Sequence, residues 1–187
     1  MTAPLGVILA GGQARRMGGG DKGLLQIGDR TLLDLAIERL SPQVDGLALN
    51  ANGAPERFAA FELPVLPDPL PDYPGPLAGV LAGLEWADAH GATHIVTAAA
   101  DTPFFPADLV PRLTLAAETE GKPIALSRTE NGRHPTFVLE RCWPKAEGRM
   151  PYVLGPRQRD WLSLCFSGQS QSGNKVGWKE RSVSSSR

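Results

Sequence analysis

A short apolar run that leads straight into a glycine-rich, cationic loop sets the first limit on how this chain folds. Residues 6–10 (GVILA) are apolar, and residues 11–22 (GGQARRMGGGDK) follow them directly. Such a run, ended by glycines, is typical of a strand buried on both faces of a parallel sheet. The loop exceeds the roughly 2 to 6 residues that usually join a strand to a helix, and long loops in compact domains are usually functional.

Further strand-like runs alternate with helical patterns along the chain. Aliphatic and β-branched runs predict four more strands, at 46–51, 93–100, 122–127 and 135–140. Apolar residues at helical spacing predict helices over 32–40, 77–84 and 109–117. Pro76 and Pro106 are expected in the first turns of the second and third helices. This alternation predicts an α/β fold with three layers, α/β/α, around a mostly parallel, Rossmann-like sheet.

Three loops are expected to meet at one edge of that sheet. They are residues 11–22, 66–79 (LPDPLPDYPGPLAG) and 97–106 (TAAADTPFFP), and all follow strand candidates. Ligands of open parallel sheets bind beyond the carboxyl ends of the strands. The three loops therefore predict a binding crevice.

The first loop has the chemistry of a phosphate site. Its glycines allow backbone amides to approach a ligand closely, and Arg15, Arg16 and Lys22 supply positive charge. The spacing matches neither G-x-x-x-x-G-K-[ST] nor G-x-G-x-x-G, which excludes the common phosphate loop and the dinucleotide fingerprint. A flexible surface loop with solvated charges is the alternative, and one of the two arginines could simply face solvent.

Composition bounds the class of protein. The 187 residues, 42% of them hydrophobic, suit one globular core. A net charge of −1 gives no general attraction to anions, so nucleic acid is an unlikely partner. Because the sequence has neither an apolar stretch of about 20 residues nor a secretory signal, we expect a cytoplasmic protein that does not enter the membrane.

The C-terminal part differs in composition from the rest. Residues 1–140 carry a net charge of −7 and residues 141–187 one of +6. We therefore expect a core over 1–140 and an atypical basic, serine-rich segment over 141–187, disordered from about 167. The spacing of Cys142 and Cys165 fits neither a zinc site nor a redox pair.

Five segments, in order, carry a family resemblance over roughly residues 5–139. They are 9–34 (LAGGQARRMGGGDKGLLQIGDRTLLD), 49–52 (LNAN), 67–84 (PDPLPDYPGPLAGVLAGL), 100–106 (ADTPFFP) and 133–139 (RHPTFVL). Together they resemble the molybdenum cofactor guanylyltransferase (MobA-type) family, whose fold is that of nucleotide-diphospho-sugar transferases. Members usually have an NVNTP-like strand end near the C-terminus. This sequence lacks that motif, so an altered segment after about residue 145 and loss of part of the acceptor pocket are expected.

The resemblance implies transfer of GMP from GTP to the phosphate of a molybdopterin-type cofactor, with Mg²⁺ and release of pyrophosphate. It implies that Asp101 binds Mg²⁺ and that Arg15, Lys22 and Asp101 are catalytic. The implied GTP-binding residues are Leu9, Ala10, Gly11, Gly12, Lys22, Asn50, Asp68 and Asp101. Positioned cations would stabilise the charge that builds on the phosphates. Cofactor insertion and delivery proteins are the implied protein partners.

Four of these residues also have a plainer interpretation. Asp101 could cap the helix that follows it, as could Thr102 or Asp108. Lys22 could be a solvated surface lysine, and Asn50 and Asp68 could stabilise turns.

The acceptor side is less well marked. Gly75, Pro76, His134 and Pro135 are candidates for contact with the acceptor, although the first two residues could simply start a helix and His134 could be a bystander. Other functions stay open: a cytidylyltransferase that uses CTP on the same cofactor, a noncatalytic protein that binds nucleotide and delivers the cofactor and, as a minor option, binding of nucleic acid by the basic C-terminal segment.

Overall fold

The computed structural model describes residues 3–11, 21–69, 75–130 and 132–142. Its strands and helices, in chain order, are β1 (Leu5–Leu9), β2 (Gln26–Ile27), β3 (Arg30–Thr31), α1 (Leu32–Leu40), β4 (Gly46–Asn50), β5 (Val65–Leu66), α2 (Pro76–Ala89), β6 (His94–Ala99), α3 (Leu109–Glu120), β7 (Ile124–Thr129) and β8 (Gly132–Arg141). Short 3₁₀ helices cover Lys22–Leu24, Ser41–Gln43 and Pro55–Phe61. Residues 12–20 of the glycine-rich loop, with Arg15 and Arg16, lie outside the described residues. Residues 143–187, nearly all of the predicted basic, serine-rich segment, also lie outside them.

Six strands form the central sheet in the order β5-β4-β1-β6-β8-β7. The neighbours β5, β4, β1 and β6 run parallel, whereas β8 is antiparallel to both β6 and β7. The register aligns Leu9 of β1 with Asn50 of β4 and with Ala99 of β6. The carboxyl ends of the parallel strands therefore lie side by side, and the mostly parallel sheet is confirmed.

Helices cover both faces of this sheet. The apolar residues of α1 and α3 share one large core with Ile8 and Val96. On the other face, Val80 and Ala87 of α2 pack with Ile95 of β6. The three-layer α/β/α architecture is thus confirmed, with aliphatic side chains packed on both faces of the sheet and phenylalanine side chains in the larger core.

The two prolines expected in first helical turns have different outcomes. Pro76 is the first residue of α2, as predicted. The prediction for Pro106 is wrong, because α3 begins only at Leu109, whose amide donates to the Pro106 carbonyl. The helices in the described part of the chain are all too short or too polar to cross a membrane.

Candidate nucleotide site at the carboxyl edge of the sheet

The candidate site starts where β1 and β4 end. The amide of Ala10 donates to the Asn50 carbonyl at 2.8 Å, and the Leu9 carbonyl accepts from the Ala100 amide at 3.1 Å. Leu9 is half-buried, Ala10 is buried, and Gly11 is exposed at the edge. The sheet thus brings the predicted residues Leu9, Ala10 and Gly11 to the rim, whereas the predicted Gly12 and Arg15 lie outside the described residues.

Asn50 is a buried amide at the bottom of this edge. It is only 3% exposed, and its Nδ2 donates to the Leu66 carbonyl at 3.1 Å and to Oδ1 of Asp68 at 2.9 Å. Its Oδ1 faces Gly79 of α2, where a Cβ atom would come within 2.1 Å. The close approach of α2 therefore requires glycine at position 79, and the amide of Asn50 is held by both of its donors.

Asp68 is fixed by a second asparagine that the sequence prediction did not include. The Asp68 amide donates to Oδ1 of Asn52 at 2.8 Å, and Nδ2 of Asn52 donates back to Oδ2 of Asp68 at 2.5 Å. The spacing of Asn50 and Asn52 in LNAN was the available signal, since alternate residues leave a strand on the same side. The predicted residues Asn50 and Asp68 are thus hydrogen-bonded to each other. Asn52 also binds the Asp68 carboxylate and orients it.

Lys22 and Asp101 meet on the other side of β1. Asp101 follows β6 at its carboxyl end, and the Nζ atom of Lys22 lies 3.6 Å from its Oδ2. Gly23 is buried against Ala100, where a Cβ atom on the glycine would be 3.0 Å from that of the alanine. This packing sets the turn that carries Lys22 beside Asp101. The sequence prediction that these two side chains converge is confirmed.

The alternative role of Asp101 as a helix cap is not what the structure shows. The residue that precedes α3 is Asp108, and its side chain makes no capping hydrogen bond. The carboxylate of Asp101 instead accepts from the Thr102 hydroxyl at 3.2 Å and is 42% exposed. Asp101 therefore presents oxygen atoms toward solvent at the edge where ligands of such sheets bind.

The carboxylate oxygens at this edge suit a divalent cation that takes its other ligands from a bound substrate. Among the described residues there is no group of three or more His, Cys, Asp or Glu side chains that could hold a metal on its own. Mg²⁺, however, is commonly bound by one or two carboxylates together with substrate phosphates. The exposed carboxylate of Asp101 could supply one such ligand, and the Lys22 ammonium lies beside it.

The sequence matches the family of MobA-like NTP transferase domains over residues 6–163. The chain belongs to this family. It is 54% identical over 140 residues to a molybdenum cofactor guanylyltransferase of Mesorhizobium japonicum, and the match covers 74% of this chain and 66% of that protein. The chain thus spans slightly less than two thirds of the length of that relative. The family resemblance of the five sequence segments is confirmed.

Solved structures share the fold of this MobA-like domain. The crystal structure of Rv0371c from Mycobacterium tuberculosis superposes with a TM-score of 0.70 at 21% identity, covering 96% of this chain and 90% of that one. A structure of Rv0371c in complex with manganese superposes with a TM-score of 0.63 at 21% identity, with the same coverage. At this level of identity the similarity confirms the fold.

The acceptor candidates of the MobA-like domain lie on two different elements. Gly75 and Pro76 begin α2, the helix that packs on β1 and β4. His134 and Pro135 lie near the start of β8, which extends past the carboxyl end of β6 because Val138 already pairs with Thr97. The His134 ring is half-buried, with Nε2 2.8 Å from the Thr129 hydroxyl and its edge toward Phe137. Contact of these residues with the acceptor stays a prediction.

Sequence reasoning also missed Asp21 and Arg57. The guanidinium of Arg57 binds the Asp21 carboxylate at 2.6 Å and donates to the Asn52 carbonyl. Arg57 belongs to the 3₁₀ helix Pro55–Phe61, an element that was not predicted from the sequence. Arg57 lies close to the loop of Lys22 because the neighbouring Phe58 packs in the core. No local sequence pattern predicts this proximity.

Proposed function

We propose that this chain transfers GMP from GTP to the terminal phosphate of molybdenum-bound molybdopterin and so forms a guanine dinucleotide cofactor. Its membership of the MobA-like family and its 54% identity to a molybdenum cofactor guanylyltransferase support the proposal. The observation that carries it is the pairing of Lys22 with Asp101, at 3.6 Å, on the same sheet edge as the partly buried Asn50–Asp68 pair. One pair is suited to a metal-bound triphosphate and the other to a nucleoside.

In this reaction an oxygen of the acceptor phosphate attacks the α-phosphorus of GTP. The new P–O bond joins the two phosphates. The bond between the α-phosphorus and the oxygen that bridges to the β-phosphate breaks, and pyrophosphate leaves with that electron pair. The step involves no covalent enzyme intermediate. The protein therefore acts by positioning the two substrates and by stabilising negative charge.

Asp101 would hold Mg²⁺, which when bound neutralises charge on the triphosphate. A structure of Rv0371c with manganese supports a divalent cation in this fold. Lys22, close to the same carboxylate, would donate to the phosphates, and Arg15 would add a second positive charge there. These cations stabilise the charge on the α-phosphate and on the departing pyrophosphate.

The nucleoside would bind at the opposite part of the edge. The carboxylate of Asp68 accepts from Asn50 and Asn52 and keeps lone pairs for base or ribose groups. Leu9, Ala10, Gly11 and Gly12 would border the guanosine. The acceptor would approach along Gly75, Pro76, His134 and Pro135, and cofactor insertion or delivery proteins would supply and receive it.

A pyrophosphate-release assay with each of the four nucleoside triphosphates, with and without the acceptor, tests the proposal. We expect release only with GTP, acceptor and Mg²⁺ together. In Asp101→Asn the rate should fall by about 100-fold or more, the size of loss typical when a charge-stabilising group is removed, with GTP binding less affected.

Asp108→Asn is the matched control, because this carboxylate lies nearby, is exposed and pairs with Arg112 at 2.7 Å. Its rate should stay within about twofold of wild type, since exposed ion pairs contribute little. Pyrophosphate release with CTP and acceptor, but not with GTP and acceptor, would favour the cytidylyltransferase. GTP binding without release, and an unaffected Asp101→Asn variant, would favour a noncatalytic delivery protein.

A further inference from the structure

Arg57 makes contacts on three sides that fix the plane of its guanidinium group. Its Nε and one terminal nitrogen contact the two carboxylate oxygens of Asp21, at 2.6 and 3.3 Å. The same terminal nitrogen donates to the Asn52 carbonyl. The guanidinium carbon lies 4.7 Å from the centre of the Phe58 ring, a side chain that is buried in the core. These contacts use the planar fork of arginine, which a lysine ammonium cannot reproduce.

The two partners of Arg57 belong to the two halves of the candidate site. Asp21 directly precedes Lys22, and the Asp21 carbonyl accepts from the Leu24 amide at 3.0 Å, so Asp21 anchors the turn that carries the lysine. Asn52 holds Asp68 through both its amide oxygen and its amide nitrogen. Arg57 is therefore the link between the Lys22 turn and the Asn52–Asp68 pair.

The link is built more firmly than an ordinary surface ion pair. The side chain of Asp21 is 18% exposed and that of Arg57 is 32% exposed, compared with 53% and 45% for the Asp108–Arg112 pair. Partial burial and two parallel contacts reduce solvent screening and fix the geometry. Gly53 has φ +86° and leaves room for the arginine, since a Cβ there would be 2.8 Å from its other terminal nitrogen.

We infer that Arg57 is a positioning residue that holds the phosphate-binding turn of Lys22 in register with the nucleoside-binding pair Asn52–Asp68. This inference rests on the proposed function of the site. Arg57 acts through Asp21 and Asn52 and needs no contact of its own with the nucleotide. Its removal weakens the coupling between the two halves, which stay joined through the sheet, so that a nucleotide bound across them loses affinity.

Arg57→Lys tests this through hydrogen exchange of two backbone amides and through the Kd of magnesium-bound GTP. The amides are those of Leu24, in the Lys22 turn, and of Asp68, which donates to Asn52. Both should exchange about tenfold faster than in wild type, because local opening on both sides becomes easier. The Kd should rise about tenfold.

Asp21→Asn is the second variant, and it removes the same ion pair while leaving Arg57 in place. It should give the same two effects, and the double variant should lie within about twofold of either single one, since all three lose one shared interaction. Arg112→Lys, which changes an exposed ion pair on α3, is the control and should leave both amides and the Kd unchanged.

Three results would overturn the inference. In the first, the hydrogen-exchange rate in both Arg57→Lys and Asp21→Asn rises at only one of the two amides or at neither. The variants could lower the thermal midpoint while the folded protein keeps the wild-type Kd, which is what a purely structural role predicts. Absence of GTP binding by the wild-type protein would remove the proposed function and this inference together, whereas normal wild-type binding with unchanged variants removes the inference alone.

Discussion

At the scale of single residues, the structure shows how a buried amide is placed by a glycine on a neighbouring helix. Gly79 and Gly83 lie on the face of α2 that packs against the sheet. A Cβ atom at position 79 would be 2.1 Å from Oδ1 of Asn50, whereas one at position 83 would be 2.8 Å from a methyl group of Val7. The two glycines allow the same close helix–sheet approach, but only the first one faces a residue of the candidate site.

This difference makes Gly79→Ala and Gly83→Ala a matched pair. Both variants should lose about 1–3 kcal/mol of stability through overpacking, measured by urea unfolding. Only Gly79→Ala should displace the Asn50 amide, and it should raise the Kd for GTP about tenfold or more, equivalent to about 1.4 kcal/mol. Equal GTP affinity of the two variants would contradict a role of Asn50 in binding the nucleotide.

Single residues also show where sequence reasoning stops. Asp101 and Lys22 were predictable because each follows a strand-like run or lies in a loop of unusual composition. Asn52 has only the weaker signal of its spacing from Asn50, and Arg57 has none. Their roles depend on hydrogen bonds to Asp68 and Asp21, which are distant in the sequence, and those contacts exist only after β4, β5 and the 3₁₀ helix have packed together.

At the scale of elements, helix α1 begins with a reciprocal cap. The Asp34 amide donates to the Thr31 hydroxyl oxygen at 3.0 Å, and the Thr31 amide donates to the Asp34 carboxylate at 2.8 Å. Hydrogen bonds from the hydroxyl and the amide of Thr31 lower the pKa of Asp34. The two residues thus satisfy two backbone N–H groups that would otherwise lack helical partners.

Thr31→Ala should therefore lower the free energy of unfolding by about 1 kcal/mol, the usual contribution of an N-cap. Because the folded-state pKa of Asp34 is lowered, the part of the stability that comes from hydrogen bonds to its ionised carboxylate is present above its ordinary pKa of 3.8 and is lost as the pH falls through the folded value. Urea unfolding at pH 7 and pH 3 measures both effects. Thr31→Ser keeps the hydroxyl and is the control, and a loss as large in this variant would argue against the cap.

The elements that the sequence predicted are the ones with enough residues to show a pattern. β1, β4, β6 and the three helices were all predicted, and their ends agree to within about five residues, because each has at least four apolar positions that show a pattern. β2, β3 and β5 have two residues each and show no period. The antiparallel direction of β8 was not predicted, although Asn131-Gly132 between two strand-like runs is typical of a hairpin.

At the scale of the whole molecule, the edge of the sheet was predictable and the strand order was not. Parallel strands bring their carboxyl ends together whatever their order, so the meeting of Lys22 and Asp101 followed from the alternation of strands and helices. The placement of β8 between β6 and β7 follows from long-range pairing, which single runs do not encode. This placement also puts a carboxyl group in the interior.

That carboxyl group is Glu140 of β8, which is 2% exposed and pairs in register with Ile95 and Ile124. Among the described residues, neither of its carboxylate oxygens has a hydrogen-bond partner. Burial raises the pKa of Glu140 from 4.5 to about 7. Burial, together with the charges of Glu140 and Asp88, also raises the pKa of Cys142 to about 12, so that thiol stays protonated at neutral pH.

The stability of the whole domain should consequently depend on pH through Glu140. Between about pH 4.5 and pH 7 the folded state binds this proton more tightly than the unfolded state does, so the free energy of unfolding falls as the pH rises. A shift of this size corresponds to about 3 kcal/mol. His94 acts in the opposite direction, because burial lowers its pKa and stability is lost as the pH falls.

Comparison of wild type with Glu140→Gln isolates the Glu140 contribution, since His94 is present in both proteins. Urea unfolding from pH 5 to pH 8 should show wild type losing about 3 kcal/mol relative to the variant, because a glutamine has no proton to lose. Glu85→Gln, an exposed carboxylate on α2, is the control and should follow the wild-type curve. Parallel curves for wild type and Glu140→Gln would mean that Glu140 ionises in the folded protein as freely as it does in the unfolded chain.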